Sequence, residues 1–198
     1  MALKTAFLVF DGVAELDFVA PKDVFFASSY LGHQEDVTYT VSATGEPITC
    51  LGGLKLLPDY SFATAPRPDI LFVPGTADPS PHVQNRQLLE WVKSTSAACL
   101  WTAGVCTGAA ILLASGVAVG KRITTHWGAL EELRKMGGAT VLDGVRYVTD
   151  GNLITSAGVT AGIDQALWLV GQLYGAAHAH EVQHLLDYYP EPPYAAVV

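Results

Sequence analysis

Charge is scarce in this chain. Only 15% of its 198 residues are Asp, Glu, Lys or Arg, and bases are the scarcer sign, 11 against 19 acids. A formal net charge of −8 with no basic run argues against a nucleic-acid partner and against an anionic membrane surface. Cysteine is equally sparse. Three residues (Cys50, Cys99, Cys106), an odd number without C-x-x-C spacing, speak against a disulfide framework or a zinc ribbon and point to a reducing, cytoplasmic setting. No apolar run reaches transmembrane length, and the opening MALKTAFLVF is too short and too strand-like for a signal peptide. Internal repeats, low-complexity tracts and linkers are also missing, so one domain over 1–198 is expected.

Hydrophobic residues are plentiful, half of the chain, which suits a sizeable core. TAFLVF (5–10) reads as a buried strand ending at the Asp11-Gly12 turn, and a helix is expected from Pro21 to Leu31 with proline in its first turn. DVTYTVSA (36–43) reads as a strand, PITCLGGLKLLP (47–58) as a glycine-turned hairpin off the main sheet, and DILFVPG (69–75) as another buried strand. A helix is expected over 84–94 and strands over AACLWTA (97–103) and RITTHW (122–127). VRYVTDGNLITSAG (145–158) reads as a hairpin turned at Asp150-Gly151, followed by helices over 163–174 and 177–188 and an irregular tail. Short strands alternating with helices predict an α/β fold: a mostly parallel sheet with helices on both faces.

In such sheets, ligands bind beyond the carboxyl ends of the strands. Three of these ends carry unusual residues: Asp11 to Asp17, Pro74-Gly75-Thr76, and Cys106-Thr107. The string from Gly104 to Gly108 has the form G-x-C-x-G, a nucleophile elbow with sulfur in place of oxygen. Small neighbours relieve the crowding of that sharp turn. Free N–H groups at the start of the next helix would favour a thiolate and could hold a developing anion. The plainer reading of a lone cysteine is a small buried hydrophobe, but the glycine bracket at a strand-to-helix joint favours a functional one. Cys99, in mid-strand, and Cys50, in the hairpin, are assigned to packing.

Five stretches carry a resemblance: ELDFVAP (15–21), ILFVPG (70–75), GVCTGAAILLASGVAVGKRITTHW (104–127), DGNLITSAGVTAGIDQAL (150–167) and YYPEPPY (188–194). Over nearly the whole chain they resemble the ThiJ/PfpI superfamily, and within it the subgroup of isonitrile hydratases and AraC-type sensor domains. The resemblance implies a flavodoxin-like, class I glutamine-amidotransferase-like sandwich, no cofactor, no metal, a small-molecule substrate and a homodimer. It implies Cys106 as nucleophile, Asp17 as the acid reaching it from the end of the first strand, and Thr107 as the threonine that follows the hydratase cysteine. Gly75 matches the first glycine of a Pro-Gly-Gly loop that lends an N–H to an oxyanion site. Thr76 stands where the second glycine would be, at a cost if its φ were positive, and Ser156 also replaces a usual glycine.

The activity so implied is hydration of an isonitrile to an N-substituted formamide. An ionised Cys106 would attack the carbon, beside an Asp17 kept protonated by burial and like charge. The residues alone allow Asp17 equally to be an N-cap of the Pro21 helix. Superfamily proteases and glyoxalases have histidine after the cysteine, so Thr107 disfavours peptidase or deglycase chemistry. His126 is a candidate for the pocket, and Trp127 either lines it or packs in the core. The alternative is a non-enzymatic ligand or redox sensor in which Cys106 is oxidised. The lack of a basic helix-turn-helix segment after residue 180 speaks against an autonomous regulator. HEVQH (180–184) matches the H-E-x-x-H zinc signature. An apolar face of Val182, Leu185, Leu186 and Tyr189 would turn His180 and His184 to solvent, so surface metal binding at most is expected. Tyr188, Tyr189 and Tyr194 read as packing and tail anchors.

Overall fold

Strands buried on both faces build the centre of the structure, a computed structural model that describes residues 2–191. In chain order, β1 (Lys4–Leu8) leads to α1 (Glu15–Gly32), β2 (Val37–Ser42), the hairpin β3 (Ile48–Thr49) and β4 (Lys55–Leu56), and β5 (Tyr60–Ser61). Next come β6 (Ile70–Val73), α2 (Ser80–Val83), α3 (Arg86–Ser96), β7 (Trp101–Val105), α4 (Gly108–Ala114) and β8 (Arg122–Ile123). A 3-10 turn (Trp127–Ala129), α5 (Leu130–Met136), β9 (Thr140–Val141), β10 (Tyr147–Asp150), β11 (Leu153–Ser156), α6 (Ala161–Tyr174) and α7 (Ala176–Leu185) follow.

The main sheet has seven strands in the order β10-β11-β7-β6-β1-β2-β5, and only β10–β11 pair antiparallel. Helices α1, α6 and α7 pack together, while α3 and α4 pack against each other and against α2. This is the mostly parallel α/β sandwich expected. Phe72 links sheet to helix: its ring stacks on Phe7 at 4.8 Å between centroids and takes the edge of Phe25 of α1 at 5.6 Å. β6 reads ILFV without alternation because both of its faces are covered.

Several boundaries differ from expectation. α1 begins at Glu15, so Pro21 lies inside it and Asp17 is a helical residue, not an N-cap; Ala14 occupies that position. Proline there removes the N–H that would bond the Asp17 carbonyl. Burial of Phe18, Val24 and Phe25 outweighs that loss. β7 starts at Trp101, four residues later than expected, and so ends directly before Cys106. RITTHW contributes only β8, which pairs with β9 apart from the main sheet. Short α2 and α5, and the edge strand β5, carry too few residues for their periods to show. The hairpin excursion β3–β4 forms as expected.

His180 and His184 are exposed on α7, as anticipated, and no group of three or more metal-ligating side chains occurs among the described residues. The apolar face behind them is narrower than expected: Val182 is buried, but Leu185 and Tyr189 are 47% and 52% exposed. Tyr188 anchors through its hydroxyl, which donates to Asp164 Oδ1 at 2.9 Å. Tyr194 lies outside the described residues. No described helix is long and apolar enough to cross a membrane.

Gly108 marks the tightest approach of helix to sheet. A Cβ there would sit 2.0 Å from the Val73 carbonyl oxygen, a backbone atom that cannot step aside. Gly108→Ala is therefore expected to destabilise the protein by about 3 kcal/mol or more, read as a lowered urea midpoint; an unchanged midpoint would refute the close approach.

Candidate active site

β1, β6 and β7 are parallel neighbours, so their carboxyl ends lie side by side. Each delivers part of one site. Asp17 follows β1 in the first turn of α1, Gly75 and Thr76 follow β6, and Cys106 and Thr107 join β7 to α4.

Cys106 has φ 56°, left-handed backbone that costs a non-glycine residue about 1 kcal/mol or more. Two hydrogen bonds hold it there. Its N–H donates to the Ser156 carbonyl at 3.1 Å, and the Thr125 hydroxyl donates to its carbonyl at 2.8 Å. Gly104 belongs to the same constraint, because a Cβ there would lie 2.7 Å from Leu112 Cδ1. The strand-to-helix elbow read from G-x-C-x-G is thus present, with glycines serving close packing at both flanks.

Asp17 is fully buried beneath the elbow. Its Oδ2 accepts the Gly75 N–H at 2.9 Å and its Oδ1 the Val159 N–H at 3.2 Å. The Cys106 thiol is also in hydrogen-bonding reach of the carboxylate. Burial pushes the Asp17 pKa up to about 6, against the pull of those donors and of His126. Burial and the Asp17 charge push the Cys106 thiol up to about 12, while the Thr107 N–H draws it down. Burial thus raises the carboxyl pKa as expected, but it raises the thiol as well, so the surroundings do not favour the expected ionised cysteine. Two backbone N–H groups favour the carboxylate, and burial at the elbow outweighs what the helix start offers the sulfur.

The Pro-Gly-Thr loop also differs from expectation. The Gly75 N–H is committed to Asp17, and the Thr76 N–H to Thr107 Oγ1 at 2.8 Å, so the first positions a carboxylate and neither is a free oxyanion donor. Thr107 Oγ1 returns its own proton to the Thr76 carbonyl at 2.7 Å, locking the two loops together. Gly75 is needed for space: a Cβ would meet Thr107 Oγ1 at 2.6 Å. Thr76 carries no backbone strain, since the positive-φ non-glycine residues among those described are Cys106, Val159 and Asp187. Ser156 is buried, with its hydroxyl 3.5 Å from the Gly104 carbonyl, and does not reach the cavity.

Above the sulfur opens a cavity of about 520 Å³, whose wall includes Cys106, Thr76, Thr107 and His126. Trp127 neither lines it nor packs in the core; it is 79% exposed. Sequence reasoning missed part of the wall. Val159 contributes its side chain to it and its N–H to Asp17, at a φ of 44° that is unusual for a β-branched residue. A Cβ on Gly158 would meet His126 Cδ2 at 3.0 Å and Cys106 Sγ at 3.6 Å, so that glycine keeps the space between them open. A glycine directly beyond a strand's carboxyl end was the available signal. Glu132, Leu133 and Met136 of α5 had none, because that helix was not anticipated.

A thiol held this high should alkylate slowly. Iodoacetamide labelling of Cys106, read by peptide mass spectrometry apart from Cys50 and Cys99, is expected to rise about tenfold per pH unit from 7 to 10. Asp17→Asn removes the charge that raises the thiol and should speed labelling at pH 8 by about tenfold or more. A wild-type rate already level at pH 7 would mean that a thiolate is present at rest.

Comparison with known proteins agrees with the fold. The model of the DJ-1/PfpI family matches residues 3–172. The isonitrile hydratase of Pseudomonas putida is 40% identical over 98% of this chain and 82% of its own length. An HTH-type transcriptional regulator of Pseudomonas aeruginosa is 28% identical over 89% of this chain, which spans 52% of that protein. The crystal structure of a ThiJ/PfpI family protein from Pseudomonas syringae superposes with a TM-score of 0.90 at 31% identity, over 100% of this chain and 80% of its own. The chain belongs to the DJ-1/PfpI family.

Proposed function

We propose that this protein hydrates an isonitrile to an N-substituted formamide, with Cys106 as nucleophile and Asp17 as the group that moves the proton. The observation that carries the reading is a buried thiol at the wall of a mainly apolar cavity with a buried carboxylate beside it. Likeness to the Pseudomonas putida hydratase supports the choice of substrate class.

Sulfur attacks the terminal isonitrile carbon as its proton passes to the Asp17 carboxylate. Asp17 then gives that proton to the same carbon, leaving a thioimidate, R–N=CH–S–Cys106. Water adds across the C=N bond; oxygen joins carbon and nitrogen gains a proton. The C–S bond breaks, the hydroxyl proton returns to sulfur by way of Asp17, and R–NH–CHO leaves. Only substrate and water are consumed. His126, at the wall, is suited to orient the water, and the Thr76–Thr107 pair keeps the elbow in place. The reading includes a cytoplasmic homodimer acting on a small molecule without cofactor or metal.

The sensor reading draws on likeness to the regulator. Its redox form fits less well, because oxidation follows thiolate character and the Cys106 thiol is held high. Peptidase or deglycase chemistry lacks the adjacent imidazole, since Thr107 fills that position and its hydroxyl is tied to Thr76.

Asp17 must be ionised to accept the thiol proton. Its raised pKa puts loss of the base on the acid side, so kcat/KM for benzyl isocyanide should fall about tenfold per unit below pH 6 and level off above it. Formamide release, followed by chromatography, should vanish in Cys106→Ala. In Asp17→Asn it should drop by about a hundredfold or more and lose the pH 6 limb. A folded, reduced protein inactive on every isonitrile offered would defeat the proposal.

A further inference from the structure

The cavity also says which isonitriles can enter. Three threonines line it, yet each hydroxyl proton is spent on a backbone carbonyl: Thr76 on Gly12, Thr107 on Thr76 and Thr125 on Cys106. Away from the sulfur, the wall is mainly apolar, with Val83, Ala110, Leu133, Met136 and Val159, and Ser80 and His126 are its other polar side chains besides Glu132. No lysine or arginine lines the cavity among the described residues. Its one carboxylate on the wall is Glu132, on the exposed face of α5 beside Leu133, in a protein whose formal net charge is −8.

A neutral apolar R group gains from such a wall by burial. An anionic one loses twice. It gives up water with no lysine or arginine to replace it, only the Ser80 hydroxyl and the His126 ring N–H, and it enters the field of Glu132. Resting on the hydratase reading, we infer that the site selects neutral isonitriles and rejects those carrying a carboxylate, and that Glu132 is the specificity-determining residue for this choice.

The test uses one skeleton with and without the charge. Benzyl isocyanide and 4-(isocyanomethyl)benzoate are compared by kcat/KM in wild type, Glu132→Gln and Met136→Lys. The neutral compound should be preferred about tenfold or more in wild type, and the preference should shrink as salt is raised. Glu132→Gln should narrow the ratio about threefold or more, and Met136→Lys, which places a cation on the same wall, should move it further toward the anion. Met136 is 42% exposed, so that change does not disturb the core.

Alkylation of Cys106 by N-benzyl-2-iodoacetamide and by its 4-carboxy analogue repeats the comparison without any turnover. If neither isonitrile reacts but the alkylation ratio favours the neutral reagent and shifts in both variants, the hydratase reading fails and the selectivity stands. A wild-type ratio near one in both assays, or one that neither substitution moves, overturns the inference.

Discussion

The hydrogen bonds of the buried Asp17 carboxylate hold the site together. This group has no solvent contact, and its oxygens are met by N–H groups from Gly75, 58 residues away, and Val159, 142 residues away. An unpaired buried carboxylate is costly, by several kcal/mol. Those contacts therefore fix three loops at once: the turn after β1, the loop after β6 and the loop after β11. The same carboxylate lies beside the Cys106 thiol and acts on it electrostatically. The surroundings of the sulfur are thus set by a residue that also ties three loops together. Backbone donors that cannot turn away pull against the burial that raises the carboxyl pKa, and burial together with the neighbouring carboxylate raises the thiol.

Holding the sulfur there carries a cost in backbone strain. Cys106 and Val159 both sit at positive φ, on opposite sides of the same small space. The strain persists because the surroundings leave no room to relax. Gly108 lies against the Val73 carbonyl, Gly104 against Leu112, and Ser156 and Thr125 grip the cysteine's own peptide groups. Close packing and hydrogen bonding at the elbow are one constraint, and the glycines are where a side chain would break it.

Above this rigid floor, the cavity wall is assembled from less regular pieces. α2 and α5 are short helices added within the crossover connections, and the β3–β4 hairpin supplies Leu51. Floor and wall so have different origins. The floor comes from strand ends that the fold must bring together, while the wall comes from excursions that can change without disturbing the sheet.

The sequence by itself determined the alternation of strands and helices, the parallel sheet and the elbow at Cys106. Each of these is written in local periods and in glycines bracketing a single residue, and local sterics do not depend on distant partners. Asp17 was legible as a candidate, but its place was not. A proline at 21 suggested a helix start, and only burial of Phe18, Val24 and Phe25 against the sheet carried the helix through it. The part of Gly75 changed for a similar reason. A glycine after a strand end signals a close approach without saying to what, and its N–H proved to face Asp17. Val159, Gly158 and α5 left weak signals, since their positions follow from contacts across the whole chain. The direction in which each group of the pair is shifted was set by tertiary structure alone. It depends on how many donors reach a carboxylate and how little water reaches a thiol, and neither can be counted until the loops have met.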